Sequence, residues 1–151
     1  MTDSVSFDGQ TVTFTGSNGL SSTIIGDNLT GMTHVIIEGY SSIEENAFSD
    51  GTGVSSITIP ASITNIDSYV LSNMFNLSSI IVVAGNTNYK DISGVLFNSS
   101  GEILIHYPAA NTRTSYEIPA GVTSIDIHAF VFTPDLTSII IPASVNSVGS
   151  W

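Results

Sequence analysis

The chain has 151 residues, the size of a single domain, and is 42% hydrophobic but only 10% charged, which is too apolar for a disordered segment. Thirteen acids stand against two bases, Lys90 and Arg113, a net charge of −11 that argues against nucleic acid and anionic membrane surfaces and leaves neutral or cationic partners. With no cysteine, disulfide frameworks, thiolate zinc sites and thiol catalysis are excluded.

Residues 1–31 open with "SVSFDG" and "QTVTFTG", two alternating runs around Asp8-Gly9. That pattern predicts a β-hairpin, expected here as an N-terminal cap over the first strand edge of the remaining chain. The opening residues have neither a basic region nor an apolar stretch of the secretory type, so no signal peptide is visible. No apolar run reaches the ~18 residues of a membrane-spanning helix.

From Met32 the chain repeats itself. "SSITIPASITNI" at 55–66 returns as "TSYEIPAGVTSI" at 114–125 and "TSIIIPASVNSV" at 137–148. Units run near 32–53, 54–76, 77–112 and 113–135, with an incomplete one at 136–151. A period of about 23 residues marks a stacked solenoid in which each unit makes one short strand. Alternation in "SSITIP" puts Ile57 and Ile59 on one face and Ser56 and Thr58 on the other. Pro60, Pro119 and Pro142 lack an N–H and end the ladder in their units. The pairs Ile63/Ile66, Val122/Ile125 and Val145/Val148 are expected to form the opposite wall. Ala47-Phe48, Tyr69-Val70 and Ala129-Phe130 are expected to fill the interior. In the third unit "VLF" and "EILIHY" flank the turn "NSSG", which predicts an inserted β-hairpin. No helix shows caps and a 3.6 period, although short helical turns fit "IEENAF" and "DIHAF".

The phrases "LTSIIIPASV" and "GVTSIDIHAF", and above all "NTNYKDISGVLFNSSGEILIHYPAANTRTSYEIPAGVTSI", resemble the BspA-type leucine-rich-repeat family over about residues 32–148. The resemblance implies a mainly β, right-handed leucine-rich-repeat solenoid with short parallel strands, secreted or displayed on a surface. It also implies adhesion to host or matrix proteins, and it carries no catalytic residues.

The residues themselves offer little chemistry. His34, His106 and His128 share no register, so solvated or singly hydrogen-bonded imidazoles are expected, not a metal site. Glu44, Asp67 and Asp126 each follow the same isoleucine of their unit and form an acidic column. Glu44 and Asp67, on neighbouring units, are candidates for calcium. Paired carboxylates also serve glycoside hydrolysis, but a turn provides no cleft, so a carbohydrate-active solenoid ranks last. No nucleophile elbow and no phosphate loop occurs. No catalytic residue and no cofactor is expected.

Binding is expected on the outward strand face. One column there holds His34, Ser56, Ser79, Ser115 and Ser138; beside it stand Ile36, Thr58, Ile81, Glu117 and Ile140. Asn28, Asn76 and Asn98 open glycosylation sequons. The expected function is a non-enzymatic, extracellular or surface-displayed protein-binding and adhesion module. Its ligand would be a host or matrix protein, with no insertion into a membrane. The alternative is a structural protein that self-assembles through its C-terminal strand edge and decorates a virus particle, sheath or filament. That edge is expected to be covered by Trp151 or by another subunit.

Overall fold

A computed structural model describes residues 2–49, 51, 53–67 and 69–149. The strands are β1 (Ser4–Asp8), β2 (Thr11–Thr15), β3 (Gly19–Leu20), β4 (His34–Glu38), β5 (Ser42–Ile43), β6 (Ser56–Ile59) and β7 (Asn65–Ile66). They continue as β8 (Ser79–Val82), β9 (Tyr89–Ile92), β10 (Val95–Asn98), β11 (Ile103–His106) and β12 (Ser115–Glu117). The last three are β13 (Ser124–Ile125), β14 (Ser138–Ile140) and β15 (Ser147–Val148).

The expected mainly β solenoid is present. One wall is the sheet β1-β2-β4-β6-β8, parallel except for β1. Val12, Val35, Ile57 and Ile80 stand opposite one another in it and are all fully buried. Their neighbours Thr13, Ile36, Thr58 and Ile81 point to the other face, as the period of two requires. The opposite wall is made of two-residue strands: β3-β5-β7 in one sheet, and β13 and β15 beside β11 in another. Between the walls, i→i+3 turns carry the chain around, as at Ala47 to Glu44, Val70 to Asp67 and Ala129 to Asp126.

Hydroxyls stitch the units together. Ser41 Oγ donates to the Asn18 carbonyl at 2.9 Å, Ser55 Oγ to Thr33 at 3.0 Å, Ser78 Oγ to Ser55 at 3.0 Å and Thr137 Oγ1 to Thr114 at 2.9 Å. Each reaches the carbonyl one unit back. In all four cases the backbone N–H of the same residue bonds that same carbonyl, and so does the N–H of the residue after it, so one acceptor is shared by the hydroxyl and two backbone donors at each step.

The N-terminal hairpin forms with Ser4 opposite Thr15. Its second strand already follows the repeat geometry. Thr11 stands opposite His34 and Gly19 opposite Ser42, each pair one repeat period apart, so 11–31 winds like a unit and β1 alone lies outside it. The helical turns fall here too, at Ser22–Ile25 and Gly26–Leu29. The stretches "IEENAF" and "DIHAF" form hydrogen-bonded turns instead of helix.

The insert is a meander of three strands, because β9 joins the predicted hairpin of β10 and β11. The middle strand divides the interior. Leu96 packs into the N-terminal core, whereas Val95 and Phe97 pack into the C-terminal one, and all three are fully buried. Burial on both faces explains why "VLF" is a continuous apolar run. The insert also caps β8: the Asp91 carboxylate accepts the Val82 N–H at 2.9 Å. Gly94, at φ 83°, brings its backbone against β8, where a Cβ would lie 2.8 Å from Ser79 Oγ.

Several interior expectations need correction. Tyr69 is 49% exposed: its backbone takes φ 71°, which turns the ring outward while Val70 enters the core. Phe130 is only half-buried, and Val145 likewise. Val148 is exposed, as are Ile139 and Ile141, because nothing among the described residues stacks on the outer sides of β14 and β15.

Ile59→Asp should unfold the stack around β6, since an unpaired carboxylate would replace a fully buried side chain at a cost of several kcal/mol. Thr58→Asp, one residue away on the outer face, should melt close to the parent. Thermal melts of the two variants check this; matching curves would mean the faces are reversed.

Candidate functional site

The outward strand face is set by the ladder itself. His34, Ser56 and Ser79 stand opposite one another on β4, β6 and β8, and Ile36, Thr58 and Ile81 form the next column. Ser115 pairs with Ser138 and Glu117 with Ile140, but in the separate two-stranded sheet β12-β14. The strip is therefore two pieces, because the insert ends the first sheet at β8. Exposure is uneven: Ile81 is 47% and Ile140 53% exposed, whereas Ile36 is half-buried beside the side chains of flanking strands. His34 is exposed, with Nδ1 2.7 Å from Thr33 Oγ1.

β2 extends both columns, with Thr11 beside His34 and Thr13 beside Ile36. Sequence reasoning missed these two residues, although "TVTFT" shows the same alternation. It also missed an exposed aromatic pair on the turns. Phe75 and Phe132 meet edge to face at 5.0 Å and are 46% and 61% exposed. Their turns share no obvious motif, so only the fold brings them together.

The acidic column is partly structural. Asp67 accepts from the Glu45 N–H at 3.1 Å and from Asn65 Nδ2 at 2.7 Å; Asp126 accepts from the Ile127 N–H at 2.8 Å. Leu104 occupies the place opposite Ile125, so Ile105 interrupts the column between Asp67 and Asp126. Among the described residues no three of His, Asp and Glu converge closely enough to hold a metal ion. Both bases are engaged inside the protein. Lys90 Nζ donates to the Ser100 carbonyl at 3.1 Å; Arg113 donates to the Ser93 carbonyl at 3.1 Å and lies over the Tyr116 ring.

Of the sequon asparagines, Asn98 accepts from the N–H groups of Gly101 and Ile103 and donates to Ser100 Oγ, which builds the insert's turn. Asn28 donates to the Ile25 carbonyl at 2.8 Å. Asn76 is exposed. Trp151 lies outside the described residues.

His34 is the solvated, singly hydrogen-bonded group expected, whereas His106 and His128 are not. His106 is buried at 5% exposure, and burial pushes its imidazole down to about 4. His128 sits half-buried at φ 61°. Tyr40 anchors the start of the chain by donating to Asp3 at 3.1 Å, and its burial, helped by that carboxylate, raises it to about 12.

These features match known proteins. The family model for the BspA type leucine rich repeat region matches six copies over residues 27–151, so the chain belongs to that family. No curated protein matches it significantly. Among solved structures, a leucine-rich repeat protein from Eubacterium ventriosum superposes with a TM-score of 0.65 at 20% identity, over 95% of this chain. A leucine rich cell surface protein from Faecalibacterium prausnitzii gives 0.65 at 29% over 89%, and the pneumococcal vaccine antigen PcpA gives 0.65 at 17% over 90%. The chain spans 58%, 37% and 35% of the lengths of those three proteins. Repeat folds of this kind present extended surfaces for protein interaction.

The depressed imidazole of His106 gives a pH prediction. Its folded value lies below that of an unfolded histidine, so the unfolded chain binds the extra proton first. Its contribution should be complete above about pH 6.5 and be lost as pH falls toward 4, by roughly 3 kcal/mol in all. Denaturant melts across that window should show the loss, and His106→Gln should flatten it. An equal slope in the variant would assign the effect to other groups.

Proposed function

We propose that the chain is a non-enzymatic protein-binding module that acts in adhesion outside the cell or on its surface. The observation that carries this reading is the strand face: a weakly charged strip in register across β4, β6 and β8, with Ile81 exposed among hydroxyls. A surface of this kind suits an extended partner, which gains contacts strand by strand. Family membership and the likeness to a cell surface protein support display outside the cell. The net charge of −11 favours a neutral or cationic partner, such as a host or matrix protein with a basic segment.

A second reading rests on β14. Among the described residues it pairs only with β12, and Ile139, Ile140 and Ile141 beside its open edge are exposed. Open strand edges template pairing, so self-association through this edge is the structural alternative. Sedimentation over a wide concentration range tests it. A mass that rises with concentration and falls in an Ile140→Lys variant supports the reading; a constant monomer mass rejects it.

Adhesion is tested by binding to immobilised matrix proteins. Thr58→Asp with Ile81→Asp should weaken binding about tenfold or more by placing charges in the strip's centre, with unchanged melting. Binding that survives this double substitution would move the contact off the strand face.

A further inference from the structure

Both ends of the stack are left open in the same way. On β2 the Gly16 N–H bonds the Glu38 carbonyl and the Gln10 carbonyl accepts from His34, so the even-numbered residues there face β4. Thr11, Thr13 and Thr15 face β1, where they stand opposite Asp8, Ser6 and Ser4. That leaves the N–H and C=O groups of Val5 and Phe7 on the outer edge of β1, which no described strand pairs. Phe7 lies opposite the fully buried Val12, so its ring is on the inner face, yet it is 55% exposed. At the other end the Ser138 N–H bonds the Thr114 carbonyl and the Ile140 carbonyl accepts from Ile118, so Ser138 and Ile140 face β12. Ile139 and Ile141 hold the open edge. Ile139 lies opposite Tyr116 on the inner face, and the alternation puts Ile141 there too; they are 38% and 54% exposed. Each end therefore presents two alternate residues that combine open backbone groups with an uncovered, inward side chain.

Charge tells the ends apart. Exposed strand edges are ordinarily blunted by charged side chains, but residues 136–151 contain none, in a chain with thirteen acids and two bases. The first end carries Asp3 and Asp8. Two first ends brought together would set carboxylates against carboxylates, whereas the uncharged last unit meets them without repulsion. Two last ends brought together would leave Phe7 uncovered. Only a first end against a last end covers Phe7, Ile139 and Ile141 at once.

We infer that copies of this chain join head to tail, β14 of one adding to the outer edge of β1 in the next. The inference rests on self-association through β14 and names the surface that β14 meets. β1 runs against β2, whereas β14 follows the direction of the repeat, so the two meet antiparallel. Pairing Phe7 with Ile139 and Val5 with Ile141 joins the open backbone groups and packs the inward side chains on one another. Ser6 then stands opposite Ile140 on the outer face, in a non-hydrogen-bonded pair with Cα atoms about 4.5 Å apart. Each copy keeps one free end of either kind, so growth is open-ended.

The chain has no cysteine, so single cysteines report this contact without background. Ser6→Cys and Ile140→Cys variants of the whole chain, mixed in equal amounts and oxidised with glutathione disulfide, should form a disulfide that joins one of each, since a bridge spans that spacing. Mass spectrometry of the linked peptides identifies the partners. Ala84→Cys, at an exposed site elsewhere, measures collisional linking with Ile140→Cys and should give about tenfold less product. Adding Phe7→Asp to the Ser6→Cys variant should cut the mixed product about tenfold or more, with unchanged melting, because the ring it removes is exposed in the single copy. Bridges found only between two Ile140→Cys chains would overturn the head-to-tail join and keep self-association, as a pair of last ends. A constant monomer mass in sedimentation, with no bridge above the Ala84→Cys level, would overturn both. Mixed bridges that survive Phe7→Asp undiminished would also overturn the pairing with β1.

Discussion

No unit of this chain can bury its own inner side chains. A coil this short has two narrow walls and little between them, so Ile57 is covered only because Val35 lies on one side and Ile80 on the other. Stacking in register at ~4.8 Å is therefore the condition for everything else. It also constrains the surface. A charge repeated at one register would face its own copy at that spacing, and like charges directly opposite are destabilising. Small hydroxyls avoid this, and they add hydrogen bonds from unit to unit, as Ser55 and Ser78 do. The low charge content and the serine columns share this cause.

Among the described residues the insert is the one place where stacking is broken, and the break creates the molecule's individuality. β10 closes off the first core with Leu96 and opens the second with Val95 and Phe97. Asn86 replaces the lost ladder with side-chain bonds, donating to the carbonyls of Pro60 and Ile63 while accepting from the N–H groups of Asn88 and Tyr89. The same break splits the outer strip in two. It also lets the turns bearing Tyr69 and His128 meet above His106.

Much of this was legible in the sequence. The constant repeat offset, the alternation in "SSITIP" and the prolines report backbone constraints that act within one unit, so they survive reading along the chain. The hairpin of β10 and β11 was legible because "NSSG" is a turn by composition. β9 was not, since "YKDI" is neither apolar nor alternating and is a strand only through its pairing with β10. The inward place given to Tyr69 failed because its backbone conformation, not its hydropathy, sets its direction. The burial of His106 was hidden for a related reason: a histidine ending "EILIH" reads as solvent-facing until β13 and the turn at Asp126 pack beside it. Contacts between units far apart in the chain, such as Tyr69 with His128, leave no local trace.

Native-state hydrogen exchange measures the dependence on neighbours most directly. If each unit is stable only through those beside it, the amides of β4 and β6 should share the highest opening free energy. Protection should then fall toward β12 and be lowest in β14 and β15, where no described residue stacks on the outer side. Amides of β14 as well protected as those of β6, in a monomeric sample, would contradict the dependence on stacking and leave the units stable by themselves.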